Sequence, residues 1–405
     1  MENGKCIIFL NFPFSIFHFP FSIFMKILVL GAGRMGLGAV FDLAHNSPEV
    51  EAITVADAHF AKAEEIVKIV NSPKVSAVEL DVSDYEKTVS VMRGHDAAIS
   101  CVNYWFNVSL SKAAIETNCN FCDLGGNNYI VDEQLALDEE AKKANISIIP
   151  DCGLAPGMVS VLAMHGAKRF DEVEEIHIRV GGLPQKPKTA LQYQLVFSVE
   201  GLINEYIETA RVIRDGKIAE VASMTELESL SFDDFPALEA FQTSGGTSTL
   251  PETFLGNVRE LDYKTIRYAG HCEKFKTMID LGLCSSEEIL VDYAKVMPRK
   301  VFGELLTKHL PADEPDYVLV RLEFVGKSNG ETKRLRYDIV DKQDEQTGLS
   351  AMMRTTAFPA SIIAQMIARG EVSERGAIPQ EKAIDSDKFV AELERRNIII
   401  SDRFL

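Results

Sequence analysis

Gly31, Gly33 and Gly36 stand at Gly-x-Gly-x-x-Gly spacing in GAGRMG, directly after the apolar run KILVL. A glycine turn between a strand and a helix brings free backbone N–H groups up to a pyrophosphate. Gly31 permits the tight turn, Gly33 lets the backbone approach the phosphates, and Gly36 allows close packing of helix on strand. Asp57 closes the next apolar run, ITVAD, where a carboxylate accepts hydrogen bonds from the adenosine ribose. A 2′-phosphate there would meet a like charge, at a cost of up to about 4 kcal/mol for an effective dielectric of about 20. No arginine follows in Ala58-His59-Phe60-Ala61, so NAD is expected in preference to NADP. Ala32, Arg34 and Met35 of the same turn, with Cys101, Val102 and Asn103 after a later strand, complete the expected cofactor contacts.

Ligands of parallel sheets bind beyond the carboxyl ends of the strands. Three such ends carry polar or aromatic groups: Asn103-Tyr104-Trp105-Phe106-Asn107, Asp123-Leu124-Gly125-Gly126, and the stretch PDCGLAPGM from Pro150. Further on, FQTSGGTSTL surrounds Gly245 and Gly246 with hydroxyls. Such a loop can cradle phosphate, or it can be an uncharged pocket wall. The chain already has a phosphate turn, and this second loop does not join a strand to a helix in the usual order. Cys119 and Cys122 form a lone Cys-x-x-Cys; with no second ligand pair, no metal site is expected. Cys101 and Cys152 read as packing thiols.

Those residues need a scaffold. Apolar strands alternate with amphipathic helical segments from residue 26 to residue 150, which predicts an α/β fold: a doubly wound, Rossmann-type parallel sheet of six strands. From about residue 174 the rhythm changes to alternating strands with hairpin signals at Asp215-Gly216 and Asn329-Gly330, interspersed with helical patterns. This predicts a second, α+β domain on a largely antiparallel sheet. The expected division is 25–152 for cofactor binding and 153–350 for substrate binding and dimerisation, with helices of 351–405 returning to the first domain.

The chain has 405 residues and a net charge of −18, with no basic stripe, so nucleic acid and anionic membranes are not expected partners. Seven scattered cysteines fit reduced thiols and a cytoplasmic location. FPFSIF occurs twice before Met25, interrupted by Pro13 and Pro20. The run lacks the small-residue cleavage pattern of an export signal. Met25 is the expected start of the folded chain, with 1–24 a mobile, dispensable extension.

GAGRMG, SCVNYWFN, CDLGG, PDCGLAPGM, SVEGLINEY, TSGGTSTL and TIRYAGHCEKF follow in an order that resembles the saccharopine dehydrogenase family, from Met25 nearly to the C-terminus. The resemblance is nearest to its lysine 6-dehydrogenases, which oxidise the lysine ε-amino group with NAD. It implies that Thr265 and Arg267 bind a substrate carboxylate, that Asp123 and Tyr104 line the site, and that the protein is a homodimer. From the residues alone, Arg267 would read as a solvated strand arginine. Members that handle saccharopine carry a further arginine where this chain has Ser244, Gly245 and Thr247, so the loop is expected to be pocket wall for a lysine-like amino acid. A saccharopine-type or polyamine-type secondary amine and a non-catalytic NAD-binding regulator are the alternatives. Lysine's ammonium is about one part in a thousand neutral near pH 7.4, so a general base is expected; Asp123, Tyr104 and His271 are the candidates.

Overall fold

In a computed structural model, residues 24–372 and 374–405 are described. The expectation for the N-terminal extension therefore lies, apart from Phe24, outside the described residues.

Each apolar run of the first half forms a strand because side chains of a parallel strand are covered on both faces. These strands are β1 (Met25–Leu30), β2 (Val50–Asp57), β3 (Val75–Glu79), β4 (Ala97–Ser100), β5 (Asn120–Asp123) and β6 (Ser147–Ile149). Ile27, Val29, Ile53, Val55 and Ile99 pack on one side, and Leu28, Leu30, Ala98, Phe121 and Ile148 on the other, all fully buried.

The second half builds β7 (Glu172–Pro184), β8 (Ala210–Arg214), β9 (Lys217–Val221), β10 (Glu228–Leu230), β11 (Leu238–Gln242) and β12 (Glu260–Tyr268). A small hairpin, β13 (Ile289–Val291) with β14 (Ala294–Val296), precedes the long strands β15 (Asp316–Ser328) and β16 (Glu331–Lys342). Asp215 and Gly216 both take positive φ, as do Asn329 and Gly330, which is the two-residue turn a twisted hairpin requires. The main order is β10-β11-β12-β7-β15-β16, with β8 pairing on β12. Only β12 and β7 run parallel in this sheet. β7 is central, and from Arg179 to Pro184 it is buried on both faces rather than the single face its early alternation suggests.

The C-terminal segment does more than pack back. Gly376–Ala377 (β17) extends the first sheet beyond β6, giving the parallel order β17-β6-β5-β4-β1-β2-β3. Ser401–Phe404 (β18) pairs with β16 of the second sheet. The helix Ala351–Ala368 is buried along most of its length. It lies so close to the helix Arg34–His45 that a methyl group at Gly38 would meet the Ala357 side chain at 2.9 Å. The sequence shows six strands in the first sheet because a two-residue strand has no periodicity to read. Among the described residues no helix is long and apolar enough to cross a membrane.

Candidate functional site

A cleft of about 1300 Å³ opens where the carboxyl ends of the first sheet meet the second domain. This exceeds the roughly 300–1000 Å³ of a pocket for one small ligand, and it suits a dinucleotide arm plus a second molecule.

Gly33, Arg34, Met35, Cys101, Val102 and Asn103 line one side. Gly31 has φ +104°, and a Cβ there would come within 2.9 Å of the Cys101 carbonyl. A Cβ on Gly36 would collide with the Gly31 carbonyl at 1.9 Å, whereas one on Gly33 would meet nothing within 4 Å. Gly33 therefore faces open space at the start of a helix that has no side-chain cap, so its first N–H groups are available to an anion. Asp57 accepts from the Ala32 N–H at 2.8 Å and from the His59 N–H at 2.8 Å. These two bonds tie the phosphate turn to the end of β2, and each carboxylate oxygen keeps a lone pair for a ribose hydroxyl.

Opposite, Thr265 and Arg267 project from β12 and line the cleft with Ser244, Gly245 and Gly246. Arg267 is 3% exposed. Its Nε–H donates to the Tyr206 hydroxyl at 2.8 Å and its Nη1 donates to the Ile266 carbonyl at 2.9 Å. Its guanidinium also lies over the rings of Tyr193 and Tyr206. The Nη2 edge has only the Glu205 carboxylate, at 4.0 Å. Glu205 in turn accepts from the Thr265 hydroxyl at 2.6 Å. Glu205 and Tyr206 come from the helix Val199–Ile207, within SVEGLINEY. Neither stands out in sequence, because one turn of helix places them beside an arginine some sixty positions away.

Three sequence expectations are corrected. Asp123 does not line the cleft: it is fully buried, and its Oδ1 accepts from the Gly125 and Asp151 N–H groups while Oδ2 accepts from Gln134. It holds the ends of β5 and β6 together. His271 is also fully buried, and burial beside Arg267 pushes its imidazole down to about 3. Neutral, it donates from Nδ1 to the Leu191 carbonyl at 2.8 Å and accepts at Nε2 from Tyr206 at 3.1 Å. It orients the tyrosine that orients Arg267. The Thr247 hydroxyl donates to the Arg211 carbonyl at 2.8 Å, and Thr247 is not among the residues that line the cleft. The other candidates, Tyr104, Ser244, Gly245, Thr265 and Arg267, meet in one cavity. Ser248, the loop's next hydroxyl, instead donates to Asp151 at the end of β6.

Among its described residues the cleft has no lysine and no histidine, and its arginines are Arg34, Arg211 and Arg267. Arg211 is paired with Glu252. Glu208 and Glu220 add negative charge to the same side.

Comparison with known proteins gives two adjoining family matches: the saccharopine dehydrogenase NADP binding domain over residues 27–149 and the saccharopine dehydrogenase C-terminal domain over 153–399. The mitochondrial alpha-aminoadipic semialdehyde synthase of Mus musculus is 24% identical over 87% of this chain but only 45% of its own length. The chain thus spans about half of that relative. The carboxynorspermidine synthase of Vibrio cholerae is 25% identical over 90% of this chain and 94% of its own length. Among solved structures, apo saccharopine dehydrogenase (L-Glu forming) from Saccharomyces cerevisiae superposes with a TM-score of 0.78 at 20% identity, covering 94% of this chain and all of that one.

Proposed function

The chain belongs to the saccharopine dehydrogenase family of oxidoreductases, and from that premise we propose that it oxidises the side-chain amine of a lysine-like amino acid with NAD, releasing ammonia and a semialdehyde. The observation that carries this reading is the pairing of Arg267 with Glu205 at one end of a cleft whose loop wall, Ser244-Gly245-Gly246, carries no cation. Arg267 receives the α-carboxylate, and Glu205 receives the α-ammonium of the same zwitterion. The remainder of the substrate then points along an uncharged wall. A second carboxylate, such as saccharopine brings, finds only Arg211 on that side, and Arg211 is already paired.

When bound, the nicotinamide supplies the hydride acceptor. The turn Gly31–Gly36 and the uncapped helix start hold the pyrophosphate in this reading, and Asp57 holds the ribose. The matched family's description names NADP; preference for NAD here rests on the Asp57 charge. Asp57→Ala is expected to raise kcat/KM with NADP relative to NAD by about tenfold or more, since a repulsion of up to about 4 kcal/mol is removed. Paired NAD and NADP titrations check it, and an unchanged ratio would contradict the assignment.

A longer amine is the second reading. Glu208 and Glu220 favour it, because they line the cleft and would attract a cationic extension, and the Vibrio cholerae relative, named for carboxynorspermidine, matches over nearly its whole length. Reduction of NAD at alkaline pH, with L-lysine, saccharopine and an aminopropyl secondary amine supplied separately, decides between them. Turnover with lysine and equimolar ammonia supports the first reading. Turnover only with saccharopine or the secondary amine overturns it.

A further inference from the structure

Asp151 follows β6, lines the cleft beside Gly125 and is 1% exposed. Its two oxygens have different surroundings. Oδ2 accepts from the Ser248 hydroxyl, which reaches it from the second domain. Oδ1 is buried and has no hydrogen-bond partner. It lies against Gly125, where an added methyl group would overlap it, and Gly125 takes a φ of +76°. The main chain of Asp151 is fixed as well, its N–H donating to Asp123 at 3.2 Å. A buried carboxylate oxygen without a donor is costly, and here it belongs to a residue that lines a cleft whose described lining offers no histidine or lysine.

We propose that Asp151 is the residue that takes the proton from the substrate's ammonium, and that Ser248 positions it. This inference rests on the amine-oxidising reading above. The substrate N–H bond breaks, the proton forms an O–H bond at Oδ1, and the electron pair stays on nitrogen. That pair forms the C=N bond as the carbon gives up its hydride to the nicotinamide. Water then adds to the iminium carbon, the nitrogen leaves as ammonia, and the proton on Asp151 returns to solvent.

The surroundings tune the group for this step. Burial and the neighbouring Asp123 carboxylate push the Asp151 carboxyl up to about 8. Glu381, from the helix Gln380–Ala383, acts in the same direction, while the Ser248 hydroxyl opposes it. An ordinary carboxylate competes for a lysine proton at a disadvantage of roughly a million-fold, and one ionising near 8 at roughly a few hundred-fold. Asp123 cannot serve, because both of its oxygens are held and it does not face the cleft.

The sign of the linkage gives a test that needs no substrate. The Asp151 carboxyl ionises at higher pH in the folded chain than its ordinary value of 3.8. The stability it contributes is present below that value and is lost as pH rises towards about 8. Asp151→Asn has no such group, so its Tm relative to the wild type should climb across this window and level off above it. A flat difference would overturn the proposal.

With an amine that the wild type oxidises, Asp151→Asn should lower kcat about 10²- to 10⁴-fold, keep KM within about threefold, and abolish the rise of kcat/KM with pH. Ser248→Ala removes a donor that favours the carboxylate, so the same rise should persist but move to higher pH. Wild-type kcat in Asp151→Asn, or an unmoved pH profile in Ser248→Ala, would overturn the assignment. If the wild type oxidises a secondary amine and not lysine, the lysine reading falls and these tests are read with that amine.

Discussion

Arg267→Ala is expected to lower kcat/KM for the amino-acid substrate by about 10²- to 10³-fold while leaving cofactor affinity within about twofold. Arg267 is buried, and truncating one member of a buried charge pair typically costs about 2–5 kcal/mol, much of it the penalty on the partner left behind. Here two partners would be stranded: the incoming carboxylate and Glu205. The effect should fall on substrate binding, because Arg267 lies at the end of the cleft formed by the second sheet, away from the phosphate turn. Arg267→Lys should recover only part of the loss, since an ammonium lacks the guanidinium's planar fork. Tyr206→Phe should cost about tenfold, because Nε–H of Arg267 and Nε2 of His271 both lose a hydrogen-bond partner. Calorimetric titration of substrate and of NAD into each variant separates these effects. Weakened NAD binding in Arg267→Ala would contradict the division of the cleft.

Asp123→Ala should produce the largest loss of stability, about 3–6 kcal/mol. It takes the acceptor from three donors: the half-buried Gly125 N–H, the buried Asp151 N–H and the buried Gln134 amide, which keeps only the Ser111 hydroxyl. Each orphaned buried group costs about 1–3 kcal/mol, against a total stability of about 5–15 kcal/mol for a folded protein. Urea unfolding measures the difference. Asp123→Asn should be much milder. Its remaining oxygen can keep the two main-chain donors, and its new amide can donate to the Gln134 Oε1, which is buried and unpartnered in the wild type. Removing the Asp123 charge also removes one of the causes that push Asp151 up. The pH at which activity rises should therefore move down in Asp123→Asn, with kcat lowered less than about tenfold. Complete loss of kcat in a stably folded Asp123→Asn would restore Asp123 as the proton acceptor and displace Asp151.

The sequence alone determined the local part of this protein. The glycine turn, its flanking strand and helix, and Asp57 at the end of β2 are legible because they lie within about thirty residues and each obeys a short-range rule: a positive φ, a close backbone approach, an apolar run of strand length. The hairpins at Asp215-Gly216 and Asn329-Gly330 are legible for the same reason. The family-specific stretches pointed to Thr265 and Arg267, which the fold brings to the wall of the cleft.

What only the tertiary structure decided is which polar side chains face the cleft. Asp123 and Asp151 are both acids at strand ends, and nothing in their neighbourhoods distinguishes a carboxylate spent on backbone donors from one with a free oxygen. His271 looked like a base from its type; the fold buries it behind Tyr206, where desolvation beside a guanidinium keeps it neutral. Ser248, Glu205 and Tyr206 acquire their roles from partners 97, 62 and 61 positions away, and the two-residue strand β17 is stabilised only by the edge of β6 that it joins. Burial and the choice of hydrogen-bond partner are properties of the packed chain, because both depend on which distant surfaces exclude water from a given atom.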